Sequence, residues 1–139
     1  MSEKVLITAI NSFTGSHLST YLKQKGFEVF GTTYENCDIT DKSSIKETLL
    51  KIKPDYIIHL AGISYAAHEN SEDFYKVNTI GTLNILDVLL EINYTPKKII
   101  LASSATVYGN QPTNILSEDL TPTPANHYGA SKYAMESLA

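Results

Sequence analysis

The 139-residue chain contains no arginine; all 11 of its basic residues are lysine. The planar guanidinium fork that usually grips a diphosphate or a carboxylate is therefore missing, and any phosphate recognition by these residues must come from backbone N–H groups or from lysine. Concentrated positive charge is missing too. The balance of 15 acidic against 11 basic residues gives a net charge of -4, and the lysines are scattered, so there is no electrostatic footprint for nucleic acid. No stretch approaches the roughly 20 apolar residues that span a bilayer. The N-terminus MSEKVLITAI has no basic leader followed by a long apolar run. Neither a membrane nor an export route is expected. Cys37 is the single cysteine, which fits a reducing cytoplasm and reads as a small packed side chain rather than a reactive thiol. The four histidines show no ligand spacing, so no metal site is expected.

What is present is an alternation of short apolar runs with helix-period segments. The runs are KVLITA, FEVFG, DYIIHLAG and KKIILASS. Between them lie a helix to Lys25, one from Asp41 to Lys53 and one from about Ser71 to Asn93. This pattern predicts βαβ units: an α/β fold, a doubly wound parallel sheet with helices on both faces. Punctuation agrees, since Gly26 sits where a helix C-cap belongs, Asp41 can N-cap the next helix, and Pro54 and Pro96 follow helix ends. Residues 109–127 show no period and read as an ordered loop, because helical YGASKYAMESLA follows at once. That last helix reaches Ala139 without a stop signal, and four strands are fewer than the roughly six of a complete doubly wound domain. The expectation is one doubly wound domain over residues 1–139, the N-terminal part only.

Two features point to chemistry. After the first strand, Ala9-Ile10-Asn11-Ser12-Phe13-Thr14-Gly15 occupies the place of a glycine-rich turn that would cradle a pyrophosphate at a helix N-terminus, with Gly15 the one glycine left. Ala9 can stand for the first glycine where φ is negative, and Gly15 supplies close helix–strand packing. Ser12 puts a Cβ where backbone should approach phosphate, but offers a hydroxyl in exchange. Taken alone, this is equally an ordinary strand-to-helix turn. The second feature is Tyr128 and Lys132, four apart and so on one helix face, where the ammonium can stabilise a phenolate and let the phenol give or take a proton. Tyr21–Lys25 and Tyr94–Lys98 share the spacing, the latter across Pro96. Only Tyr128 follows a strand end, LASSATVYG, that offers a hydroxyl at Ser104, on the sheet edge where ligands sit.

Six elements in order resemble the extended short-chain dehydrogenase/reductase family of nucleotide-sugar epimerases, dehydratases and ketoreductases. They are the turn ending at Gly15, DITD at Asp38–Asp41, HLAG at His59–Gly62, VNTIGTLN around Asn78, SSATVYG around Ser104, and YGASK. The resemblance implies a Rossmann-like domain that binds NAD or NADP through Ala9, Asn11, Ser12, Phe13 and Gly15, with Asp38 and Ile39 at the adenine and Leu60, Ala61 and Gly62 along the coenzyme. It implies catalysis by Ser104, Tyr128 and Lys132, with Tyr128 and Lys132 also touching the coenzyme. Asn78 is read both as a buried core amide and as a member of the cofactor site. His127, Thr106 and Tyr108 either line the site or shape the loop.

Family dehydratases carry Asp–Glu directly after the catalytic hydroxyl residue; Ala105 and Thr106 stand there, so elimination of water is disfavoured. The string SSATVYG is similar to that of 4-epimerases. The short path from the second strand to DITD resembles a 4-keto-sugar reductase. Both act at C4 of a nucleotide-linked sugar, and the reductase is preferred. The segment GTTYEN has neither an acidic residue at the usual ribose position nor a 2′-phosphate arginine, leaving NAD and NADP open, with Glu35 close by. The resemblance also implies a nucleotide-sugar partner and use of the last helix in a homodimer. The alternative from another class is a non-catalytic dinucleotide-binding module, and these 139 residues are expected to lack turnover by themselves.

Overall fold

The computed structural model describes residues 2–65, 68–113 and 115–139. The elements in chain order are β1 (Lys4–Thr8), α1 (Phe13–Gln24), β2 (Glu28–Thr32), α2 (Lys42–Ile52) and β3 (Tyr56–His59). There follow α3 (Ser71–Asp73), π-helical turns over Phe74–Gly81, α4 (Thr82–Glu91), β4 (Lys98–Leu101), a 3-10 turn over Ala105–Tyr108, and α5 (His127–Leu138). All four strands join one parallel sheet in the order β2-β1-β3-β4. The expected punctuation is in place: Asp41 Oδ1 caps α2 by accepting from Ser43 N–H at 2.9 Å, and Gly26 takes φ 89 past the end of α1. Among the described residues no helix is long and apolar enough to cross a membrane. The residues divide into two compact units, one formed by residues up to 61 with 84–102, the other by 62–83 with 103–139.

In the first unit the strand period of two separates the faces of the sheet. Leu6 and Ile57 meet Ile45 and Leu49 of α2 and Ile85 of α4, with Cys37 and Ile39 buried among them. Val5 and Ile58 lie on the opposite face with Leu22 of α1 and Phe27. Helices on both faces are the doubly wound arrangement that the alternation predicts. β2 and β4 are the edge strands, and residues 33–41 pass from β2 to α2 through turns with no further strand or helix.

The second unit departs from the sequence reading. The period predicts an unbroken α-helix from Ser71, whereas Phe74–Gly81 winds as a π-helix. The wider turn buries Asn78 and the adjacent Thr79 together. Both side chains bond to the segments packed around them, Asn78 to Ile63 and Ser131, Thr79 to the Ser131 carbonyl. A regular α-helix rotates neighbouring residues about 100° apart, so two successive inward polar groups favour the local widening. Val77, just before them, is only half-buried.

Candidate functional site

In the first unit, β1 delivers the chain into the turn from Ala9 to Gly15. Ser12 is the N-cap of α1: its backbone is extended, and its Oγ accepts from Gly15 N–H at 3.1 Å. The hydroxyl thus has one lone pair engaged and its proton left to donate. Gly15 is demanded by close approach, since a Cβ there would stand 2.5 Å from the Ala9 carbonyl oxygen. Ala9 corrects the sequence reading: φ is 51, not negative, and its carbonyl accepts from Ser12 N–H at 3.0 Å, closing the turn that follows. The turn therefore keeps the shape a glycine would give it, under strain. Asn11 and Phe13 are exposed on it, and the Phe13 ring lies against His17 with centroids 4.6 Å apart.

At the end of β2, Asp38 Oδ1 accepts from Thr40 N–H and from the Thr40 hydroxyl, both at 2.8 Å. Ile39 is buried, and its carbonyl is taken by Asn84 Nδ2 at 3.1 Å. Glu35, exposed in the turn, has its carboxyl held below the ordinary value by a hydrogen bond from the Thr33 hydroxyl and by its own backbone.

The ends of β1 and β3 are tied by a residue the sequence reading did not single out. Thr8 pairs in register with His59. Its Oγ1 meets Leu60 N–H at 3.0 Å, Ala61 N–H at 2.9 Å and His59 Nδ1 at 2.8 Å. A hydroxyl has two lone pairs and one proton, so the two N–H groups fill the former and the proton goes to Nδ1. The Thr8 side chain thus fixes the backbone of Leu60 and Ala61. The available signal was a threonine ending β1 and a histidine ending β3, at equal distance along paired strands.

The second unit gathers Ser104, Tyr128 and Lys132. Ser104, in extended backbone, caps the 3-10 turn by accepting from Thr106 N–H at 3.3 Å. Asn126 caps α5 by accepting from Gly129 N–H at 2.8 Å, which starts the helix one residue before Tyr128. The ring of Tyr128 lies 6.1 Å from that of Phe74, centroid to centroid. One turn further, Lys132 is 7% exposed, and burial pushes its ammonium below the ordinary lysine value. A Cβ on Gly62 would stand 2.7 Å from Asn78 Oδ1 and 3.4 Å from Lys132 Nζ, so Gly62 keeps open the space beside both. Asn78 is a brace: Oδ1 accepts from Ile63 N–H at 2.7 Å, while Nδ2 donates to the Ile63 carbonyl at 3.0 Å and to Ser131 Oγ at 3.1 Å. Ser131 in turn donates to the Tyr128 carbonyl at 2.8 Å. Ser103 hydrogen-bonds Glu136, tying the strand end to α5. His127 meets the Tyr75 hydroxyl at 3.0 Å, and His68 pairs with Asp73 at 2.8 Å.

The competing Tyr–Lys pairs differ from this one. Tyr21 is 54% exposed with Lys25 Nζ over its ring, at the solvent face of α1. Tyr94 lies outside any helix and gives its hydroxyl to the Pro54 carbonyl. Of the three, Tyr128–Lys132 alone lies wholly within one helix and has a buried lysine.

A family model described as the NAD dependent epimerase/dehydratase family matches residues 5–139. The GDP-6-deoxy-D-talose 4-dehydrogenase of Aggregatibacter actinomycetemcomitans is 43% identical over 137 residues, covering 97% of this chain and 47% of that protein. The crystal structure of dTDP-4-dehydrorhamnose reductase from Bacillus anthracis in complex with NADP matches with a TM-score of 0.87 at 30% identity, over 99% of this chain and 49% of the other. That of UDP-glucose 4-epimerase from Brucella ovis in complex with NAD matches with a TM-score of 0.90 at 25% identity, over 99% and 46%. The chain spans about half the length of these relatives.

Proposed function

The chain belongs to the NAD dependent epimerase/dehydratase family, and on that premise we propose that it carries the coenzyme-binding and proton-transfer groups of an oxidoreductase acting at C4 of a nucleotide-linked sugar. The carrying observation is that Ser104, Tyr128 and a buried Lys132 fall within one compact unit. When bound, NAD or NADP supplies the hydride acceptor or donor. In the first unit the turn from Ala9 to Gly15 fits its pyrophosphate through the outward N–H groups of the first turn of α1 and the Ser12 proton, with Asp38, Leu60 and Ala61 as further contacts. In the second, Lys132 holds the nicotinamide ribose.

Tyr128 takes the proton from, or returns it to, the C4 oxygen as the carbonyl forms or disappears, and Ser104 donates a hydrogen bond to that same oxygen. The ammonium of Lys132 stabilises the phenolate. A 4-keto-sugar reductase is preferred, because β2 leads to Asp38 without another helix or strand, the short path that also resembles the reductases. A 4-epimerase is the second reading, on the string SSATVYG.

The test is a titration with NADH and NADPH followed by nicotinamide fluorescence, beside turnover of a nucleotide-linked 4-keto-6-deoxysugar with NADPH and of UDP-galactose with NAD. Saturation below about 1 mM coenzyme is expected, and its absence withdraws the coenzyme assignment. In a longer form of the protein that turns substrate over, Tyr128→Phe lowers turnover by about 100-fold or more with coenzyme binding intact, whereas Tyr21→Phe and Tyr94→Phe leave both unchanged. An equal loss at Tyr21 or Tyr94 means the wrong tyrosine was chosen.

A further inference from the structure

Ser104 does not stand alone at the end of β4. Its Oγ lies 2.9 Å from Thr106 Oγ1 in addition to accepting the Thr106 N–H. These two contacts come from one residue, and that residue is clamped. The Thr106 carbonyl accepts from Gly109 N–H at 3.1 Å, closing the 3-10 turn. On its other side it abuts the first turn of α5 so closely that a Cβ on Gly129 would stand 2.6 Å from the Thr106 oxygen. Gly129 is the neighbour of Tyr128. The backbone of Thr106 is therefore fixed relative both to Ser104 and to the start of the helix that presents Tyr128, and its side chain is left to do something that no clamp requires.

We propose that Thr106 is a positioning residue whose hydroxyl donates to Ser104 Oγ, filling the second lone pair and leaving the Ser104 proton as an outward donor to the substrate oxygen. This rests on the assignment of Ser104 as the donor to the C4 oxygen. With both lone pairs of Ser104 occupied, its proton has no acceptor on Thr106 and points away from the turn. The chain of donors also reinforces itself. As negative charge builds on the substrate oxygen, Ser104 gives up proton density, its own oxygen becomes a better acceptor, and the bond from Thr106 strengthens. The effect is directional: Thr106 stabilises negative charge at position 104 without touching substrate. A valine, equal in shape, retains the clamp and the methyl but loses the donor.

The charge-stabilising role can be read without substrate or coenzyme. In a Cys37→Ala background, Ser104→Cys installs one accessible thiol at the acceptor position, and the pH–rate profile of its alkylation by iodoacetamide reports where the thiolate forms. The midpoint is expected about one pH unit below the ordinary thiol value of about 8.5. Adding Thr106→Val returns it to about 8.5, and adding Thr106→Ser, which keeps a hydroxyl, leaves it low. The midpoint is read rather than the rate at one pH, because a less basic thiolate is also a weaker nucleophile. Thermal melts of each variant establish that the fold is kept, as expected for an exposed side chain. The same midpoint with threonine and with valine overturns the proposal. So does a midpoint with serine that follows valine, since that assigns the effect to the methyl group. Because the profile needs neither ligand, it separates failure of this proposal from failure of the coenzyme assignment, which the NADH titration decides.

Discussion

Ala9 pays a conformational penalty that its glycine counterpart would not. At φ 51 its Cβ crowds the following carbonyl, a strain of roughly 1–2 kcal/mol for an L-residue. Ala9→Gly is expected to raise stability by about 1 kcal/mol, the relief being partly offset by the freer unfolded chain. Urea denaturation with an unchanged slope checks it, and a loss of stability means the turn is not left-handed in solution. Ser12 is a different departure. Its Oγ caps α1, so glycine there loses only a few tenths of a kcal/mol of capping while removing a Cβ beside the proposed phosphate position. The two substitutions at turn-glycine positions thus act on separate quantities, backbone strain at residue 9 and access at residue 12.

Among the elements, the π-helical turns have the clearest consequence. Asn78 is wholly buried, and its amide satisfies both backbone groups of Ile63 as well as Ser131. Asn78→Ala strands those partners, and a loss of about 2–4 kcal/mol is expected in denaturant melts. A loss under about 1 kcal/mol would mean water replaces the amide.

In the first unit, the residues at the starts of β1, β3 and β4 form a pH-dependent cluster. Lys97 pairs with Glu3 at 2.6 Å and with Asp55 at 3.1 Å, Asp55 accepts from Lys4 N–H at 2.8 Å, and the Tyr56 hydroxyl donates to Glu3 at 3.1 Å. The Glu3 carboxyl is lowered chiefly by the Lys97 hydrogen bond and that of Asp55 chiefly by the Lys4 amide. A carboxyl whose folded value is depressed contributes stability that is complete above its unfolded value and is lost as pH falls through the folded one. Asp55→Asn should therefore lower the melting temperature at pH 7, and its difference from the parent should shrink below about pH 4. A difference independent of pH from 7 to 3 refutes the electrostatic account.

For the molecule as a whole, the sheet is unequally covered. Ile100 is 51% exposed, and a groove of about 250 Å³ runs between Val5, Leu22, Phe27, Tyr56, Ile58 and Ile100. Parallel sheets are ordinarily covered on both faces, so this surface is an association hazard. The 139-residue chain is expected to bind an apolar dye such as ANS and to self-associate with concentration, and Ile100→Thr to reduce both. Light scattering that shows a monomer at every concentration, with no dye binding, removes the hazard.

The sequence by itself determined the βαβ alternation, the four parallel strands, the caps at Asp41 and Gly26 and the family-like order of motifs, because these follow from short-range periodicity and backbone preferences that act within a few residues. It also pointed to Ser104, Tyr128 and Lys132 as one set. Tertiary structure alone decided the rest. Ala9 takes positive φ although no local pattern marks it. Whether Phe74–Gly81 winds as α or π depends on Ile63 and Ser131, which reach Asn78 from distant parts of the chain. The Thr8–His59 bond joins residues 51 positions apart, and no local pattern records it. Burial of Lys132 beside Gly62, which separates its Tyr–Lys pair from the other two, comes from packing across about 70 residues of chain, where periodicity and spacing carry no information.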